Sequence, residues 1–174
     1  MNHFTLSHEF DCSADTFWDL FLDERFTERH YLEGVRFSEY RVVQQRDTPE
    51  NIARTVEAMP RVQLPKAVAK LFGAGLRYVE EGVFDKVARI FKYRTIPSAL
   101  ADRIHNEGTI RTEALSDGRI RRVIDVTVDV RIALLGGSME TLAEKTLREG
   151  WDASAQFIEA WLAGQPSSAK ATAG

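Results

Sequence analysis

A chain of 174 residues, 44% hydrophobic and 28% charged, is long enough for one domain with a sizeable core and short for two. With a net charge of −3 nothing global points to a nucleic-acid partner, and none is expected; no stretch approaches the roughly 18 apolar residues of a transmembrane helix. The single cysteine, Cys12, excludes an internal disulfide and a Cys/His zinc site; with no signal-peptide pattern at the start, a reduced, cytoplasmic setting is the expectation.

Residues 2–10 alternate weakly and predict a first strand. Ser13 is placed to cap a helix over Ala14–Leu22, where Phe17 and Phe21 sit four apart beside Trp18 and Leu22. A second short helix is expected over Glu24–Leu32, with Gly34 at its C-terminal cap. Strands follow over Val35–Gln45 and Asn51–Ala58, separated by the turn Asp47-Thr48-Pro49 and ended by Pro60. Leu76–Asp85 and Val87–Ile96 read as a hairpin turning near Asp85-Lys86. His105–Leu115 and Arg119–Leu134 flank Ser116-Asp117-Gly118, the clearest hairpin turn in the chain. In the last strand Ile124, Val126, Val128, Val130 and Ile132 share one face and Asp125, Thr127, Asp129 and Arg131 the other, so one face is buried and one wet. Gly136-Gly137 breaks it, and Ser138 is placed to cap a long helix reaching Leu162. Met139, Leu142, Leu147, Trp151, Ile158 and Trp161 recur there at steps of three, four and seven, with Gly150 as an interruption. Gln165–Gly174, small and polar, reads as a disordered tail behind a domain of residues 1–164.

This order predicts an α+β domain: strands joined by short turns into an antiparallel sheet, and a final helix of roughly 37 Å at 1.5 Å per residue. It resembles the START-like helix-grip fold of the SRPBCC superfamily, in a bacterial branch. The residues that carry the likeness are Phe10-Asp11-Cys12-Ser13-Ala14-Asp15, the aromatic helix Thr16-Phe17-Trp18-Asp19-Leu20 and the Gly136-Gly137 start of the last helix, within residues 2–163. The resemblance implies a curved sheet of six or seven strands gripping the long helix, with a hydrophobic cavity between them. Members of that superfamily bind lipids, sterols, polyketides or hormones; some are cyclases, dehydratases or ring-oxygenase subunits, and others are co-chaperone-type binding modules.

No catalytic or metal-binding motif accompanies this pattern. His3, His8, His30 and His105 are scattered without ligand spacing, no GxSxG is present, and Gly73-Ala74-Gly75 lacks the third glycine of a dinucleotide loop. No metal and no cofactor is expected. The candidates for a site are polar or aromatic residues on faces that should be buried. Glu80 shares a strand face with Leu76, Tyr78 and Phe84, and a carboxylate there needs either an arginine partner or a raised pKa. Arg54, Arg122, and Lys92 with Arg94 lie on apolar faces; each is placed to meet Glu80 or a ligand carboxylate, or to snorkel at a sheet edge. Trp18, Tyr31 and Trp151 read as core residues that double as cavity lining.

Between Pro60 and Arg77 the chain carries Arg61, Lys66, Lys70 and Arg77 and no acidic residue. Leu64, Val68, Leu71 and Phe72 sit there at helical spacing. This predicts a short basic amphipathic helix, either covering the sheet edge or acting as a lid that touches a membrane transiently. The expected function is binding or transport of a lipid-like or polycyclic molecule, by a carrier rather than an enzyme. A cyclase or dehydratase using Glu80 beside Tyr78, and a protein-interaction module on the outer sheet face, are the alternatives.

Overall fold

The computed structural model describes residues 1–73, 75–132 and 136–164; the side chains of Ala67 and Leu71, and the expected tail at 165–174, lie outside the described residues. The elements are β1 Asn2–Phe10, α1 Ala14–Leu22, α2 Glu24–Arg29, β2 Glu39–Asp47, β3 Asn51–Met59, α3 Lys66–Phe72, β4 Tyr78–Asp85, β5 Ile90–Pro97, β6 Ile104–Ala114, β7 Ile120–Val130 and α4 Gly136–Gly164. The strands form one antiparallel sheet in the order β1-β7-β6-β5-β4-β3-β2, and α4 lies against β1 and β7 on its inner face. This is the helix-grip α+β fold. No helix among the described residues is long and apolar enough to cross a membrane.

Local chemistry explains most boundaries. The Ser13 hydroxyl accepts from the Thr16 amide at 3.1 Å and starts α1; Asp23 accepts from the Phe26 amide at 2.6 Å and starts α2. The β6–β7 turn places Asp117 and Gly118 at φ 70° and 74°, the left-handed pair that Asp-Gly accommodates. At the β4–β5 turn the Asp85 carboxylate accepts from the Val87 and Ala88 amides and Arg89 takes φ 55°, so β5 begins at Ile90 rather than Val87.

Five expectations need correction. The second helix ends at Arg29 and continues as a π turn over His30–Gly34. Gly34 is not a left-handed cap: a Cβ there would sit 2.7 Å from Phe157, so its role is to let α4 approach. Arg36 at φ 63° keeps Val35–Ser38 out of the sheet, and β2 starts only at Glu39. Lys92 and Arg94 face outward, Arg94 bonding Glu81 at 2.8 Å; the inner face of β5 carries Phe91 and Tyr93. Ser138 lies inside α4, which has already begun at Gly136.

The inner face is dense at one end, where Phe10, Phe17, Trp18, Phe21, Phe84 and Phe91 are all buried in one cluster. Rings at 4.4 to 5.9 Å hold α1 to the sheet. Gly82 belongs to this packing, because a Cβ on it would run into the Phe91 ring. The outer face is wet and carries cross-strand ion pairs such as Arg41–Glu57, Arg121–Glu9 and Arg111–Asp125. Exposed pairs of this kind contribute about 0–1 kcal/mol each, so they mark a solvated face more than they stabilise it.

Two predictions follow from the packing. Gly82→Ala must displace Phe91, and overpacking of this kind costs about 1–3 kcal/mol; urea denaturation should show that loss, and an unchanged midpoint would contradict the packing. His30, 3% exposed, stacks among Phe26, Tyr31 and Phe157. Burial, and then the charge of Arg122, lower its pKa from 6.5 to about 3. As pH falls below 6.5 the unfolded chain binds a proton that the fold refuses until about pH 3, so this residue removes stability through that window. His30→Gln should therefore flatten the acid-side fall in melting temperature, which thermal denaturation across the window would measure.

Candidate functional site

The other end of the inner face is hollow. A cavity of about 200 Å³ lies between the sheet and the N-terminal half of α4, far more than the roughly 10–15 Å³ that one water needs. Met139, Leu142, Ala143, Leu147 and Trp151 of α4 form its roof. Tyr78 and Glu80 of β4, Tyr93 and Thr95 of β5, Ile104 and Asn106 of β6, and Val128 and Val130 of β7 form its floor. Tyr31 in the π turn, with Val35 and Phe37 behind it, makes one wall. Pro60, Val62, Leu64, Phe72 and Leu76 make another. In that second wall the Val68 and Phe72 side chains are buried, while Arg61, Lys66 and Lys70 are exposed. Arg77 is engaged with Glu39 at 2.5 and 2.6 Å.

Glu80 is the one charged residue of the lining among the described residues. It is surrounded by protein, yet it keeps accessible surface because that surface faces the cavity. Its carboxylate has no hydrogen-bond or ion-pair partner among the described residues. Burial therefore raises its pKa, and the Arg54 charge offsets this only through space. Glu80 stands opposite Thr95, and Thr95 opposite Asn106, so the three form one polar row across β4, β5 and β6. Asn106 Nδ2 donates to Thr95 Oγ1 at 3.3 Å, and Asn106 Oδ1 has no partner. Tyr31, Tyr78 and Tyr93 line the cavity around this row. Burial first, and then the Glu80 charge, raise their phenol pKa values, so they are neutral hydroxyls.

Of the residues singled out from the sequence, Tyr31, Phe72, Tyr78, Glu80 and Trp151 meet in this cavity. Trp18 and Phe84 do not: they pack on each other at 4.4 Å in the dense end, and Trp18 Nε1 donates to Thr112. The Leu71 side chain lies outside the described residues. Arg54 and Arg122 are neither lining residues nor edge residues. Arg54 is 3% exposed, donates to the Phe21 carbonyl at 2.8 Å and lies over the Phe21 and Phe91 rings. Arg122 is fully buried between the Phe10 and Trp151 rings. It donates to Ser154 Oγ at 3.0 Å and to the Trp151 carbonyl at 3.2 Å, and it contacts His8 Nδ1 at 3.0 Å. Its desolvation lowers its pKa to about 10, still high enough to keep the charge.

The sequence reading missed Tyr93, Thr95 and Asn106. A signal was present for Tyr93: Gly82 and Gly108 are its partners on both neighbouring strands. A Cβ at Gly108 would meet the Tyr93 hydroxyl at 2.8 Å, so Gly108 makes room for that ring, while Gly82 makes room for Phe91. Among the described residues no group of three His, Cys, Asp or Glu is placed to hold a metal ion. What the arrangement offers is an apolar enclosure with one carboxyl group and several neutral hydroxyls.

Comparison with known proteins agrees on the architecture. The structure superposes on the Zhui aromatase/cyclase from a Streptomyces species with a TM-score of 0.68 at 15% identity, covering 95% of this chain and 99% of that one. It superposes on a START superfamily protein from Mycobacterium smegmatis with a TM-score of 0.64 at 14% identity, covering 91% and 98%. At these identities the likeness is one of fold, and the fold is START-like. No curated protein matches the sequence. A family model described as a protein of unknown function, DUF2505, matches residues 5–162, and the chain belongs to that family.

Proposed function

We propose that this protein binds or carries a hydrophobic small molecule, lipid-like or polycyclic, in the space between its sheet and α4. The observation that supports this is the cavity itself: about 200 Å³, walled almost wholly by aliphatic and aromatic side chains in a domain otherwise densely packed. The neighbouring aromatase/cyclase and START superfamily protein make such a role a natural one for this fold. The segment from Pro60 to Arg77 is the gate in this reading. It closes one wall, and Gly73 and Gly75 at φ 57° and 149° adjoin α3 where a swing would be absorbed. Its exposed Arg61, Lys66 and Lys70 are the side that a membrane surface would meet during exchange.

An enzyme of the cyclase or dehydratase type is the second reading. It is favoured by the unpartnered Glu80, whose raised pKa suits it to give and take protons beside Tyr78.

Native mass spectrometry of gently purified protein should find an apolar molecule retained or taken up. Ala143→Trp, which puts an indole into the cavity, should abolish uptake while keeping the melting temperature. Uptake that survives this filling would place the ligand elsewhere. The enzyme reading makes a separate prediction. Glu80→Gln should retain a molecule of different mass from the one the wild type carries, because substrate replaces product; identical masses favour the carrier.

A further inference from the structure

The lining is unbalanced in a way that its apolar character does not require. Its described residues include one carboxyl group and no lysine, arginine or histidine. Both buried arginines that share the inner face are already engaged. Arg54 is spent on the Phe21 carbonyl and two rings, and Arg122 on Ser154, Trp151 and His8. Neither donates to Glu80. The row that begins at Glu80 also ends on a bare acceptor, Asn106 Oδ1. A ligand carboxylate or phosphate entering this space would meet a like charge and no counter-ion in the lining, with only the through-space charge of Arg54 and the unpartnered Tyr93 hydroxyl to offset its lost hydration. Fatty acids and other amphipathic anions are thus poor occupants.

The rings point the same way. Tyr78 is two residues from Glu80 on the same face of β4, and Tyr93 is diagonal to it on β5. Tyr31 and Trp151 face the same space from the helical side. The negative face of an aromatic ring attracts a cation, more strongly where water is excluded. Trp151 already carries the Arg122 guanidinium on its ring, so a lone carboxylate beside the three tyrosine rings is the receptor for positive charge.

Resting on the reading of the cavity as a ligand site, we propose that its ligand is a hydrophobic molecule bearing a basic nitrogen, whose protonated amine pairs with Glu80 within the collar of Tyr31, Tyr78 and Tyr93. The apolar remainder of the molecule lies under Leu142, Ala143 and Leu147. The amine supplies the counter-charge that the chain does not, and its N–H groups meet acceptors that otherwise have none.

The test uses the full-length protein and three probes with one tail: decylamine, decanol and decanoate, each below its aggregation limit. Binding is followed by tryptophan fluorescence and isothermal titration calorimetry. Decylamine should bind at least tenfold more tightly than decanol, a difference of about 1.4 kcal/mol, and decanoate should bind more weakly than either. Glu80→Gln, nearly isosteric, should lose the tenfold preference while holding decanol as before; the decanol arm thus shows that the cavity is intact in the variant. Equal affinities for amine and alcohol, or tighter binding of decanoate, overturn the proposal and leave the ligand-site reading standing. Failure of all three probes to bind overturns that reading, and this proposal with it.

Discussion

The position of α4 over the sheet depends on one buried guanidinium. Arg122, near the start of β7, reaches Ser154 Oγ and the Trp151 carbonyl on α4 and contacts His8 on β1, and it is held between the rings of Phe10 and Trp151. Hydrogen bonds from a charged donor contribute about 1.5–3 kcal/mol each, and the desolvation of a buried ion costs several kcal/mol. The two nearly cancel, so the value of Arg122 lies in geometry more than in stability. Apolar ridges of a long helix can slide by a turn at small cost. A planar fork on β7 with its partners on β1 and at two positions of the helix cannot. It sets which residues of α4 lie over which rows of the sheet.

Those rows explain why the molecule is dense at one end and hollow at the other. Across the strands, Ile52, Phe84, Phe91, Ile110, Ile124 and Leu6 stand in register and fill the space beneath α1. One step along, Arg54, Gly82, Tyr93 and Gly108 alternate large with absent side chains. One step further, Val56, Glu80, Thr95 and Asn106 are too short or too polar to reach α4. Above this last row α4 offers Ala143, Leu147 and Gly150, which do not fill the gap either. The cavity is thus written into side-chain sizes along strands whose backbones are continuous. The Arg122 contacts at Trp151 and Ser154 lie where the packed half of the helix gives way to the open half.

Much of this was legible in the chain. Alternation along residues 120–130, the Asp-Gly turn before it and the helical spacing from Met139 onward are strong periodic signals, and they set topology. What the periodicity did not reveal was register where both faces of a strand carry large residues. In β5, Ile90 and Ile96 compete with Phe91 and Tyr93 for the inner face, and packing decides for the aromatics. The same limit applies to the arginines. Pattern alone treats Arg54 and Arg122 as misplaced charges, because their compensation comes from carbonyls and rings distant in sequence. The aromatic excess of α1 was likewise ambiguous: Trp18 belongs to the dense end because Phe84 is there to receive it. Glu80 was conspicuous for the opposite reason. It broke a pattern, and no residue brought near it repairs the break.

That unrepaired break is the strongest functional signal in the molecule. Arg54 and Arg122 are buried charges, and each has its hydrogen bonds and its rings. Glu80 has no hydrogen-bond or ion-pair partner among the described residues, and its pKa is raised by burial. The sign is unfavourable to the fold: the group is easier to protonate when folded than when unfolded. Its ionisation therefore subtracts stability as pH rises from the ordinary carboxylate value through the raised one. Glutamine or leucine at this position would spare the fold that cost. Both arginines leave Nε unpaired but donate through their terminal nitrogens, whereas the Glu80 carboxylate has no partner among the described residues and faces a ring-lined cavity; local rules broken in this way concentrate where a protein meets its ligand. On the proposed reading, an occupant of the cavity recovers that cost, and Glu80 is one half of a binding surface whose other half the ligand supplies.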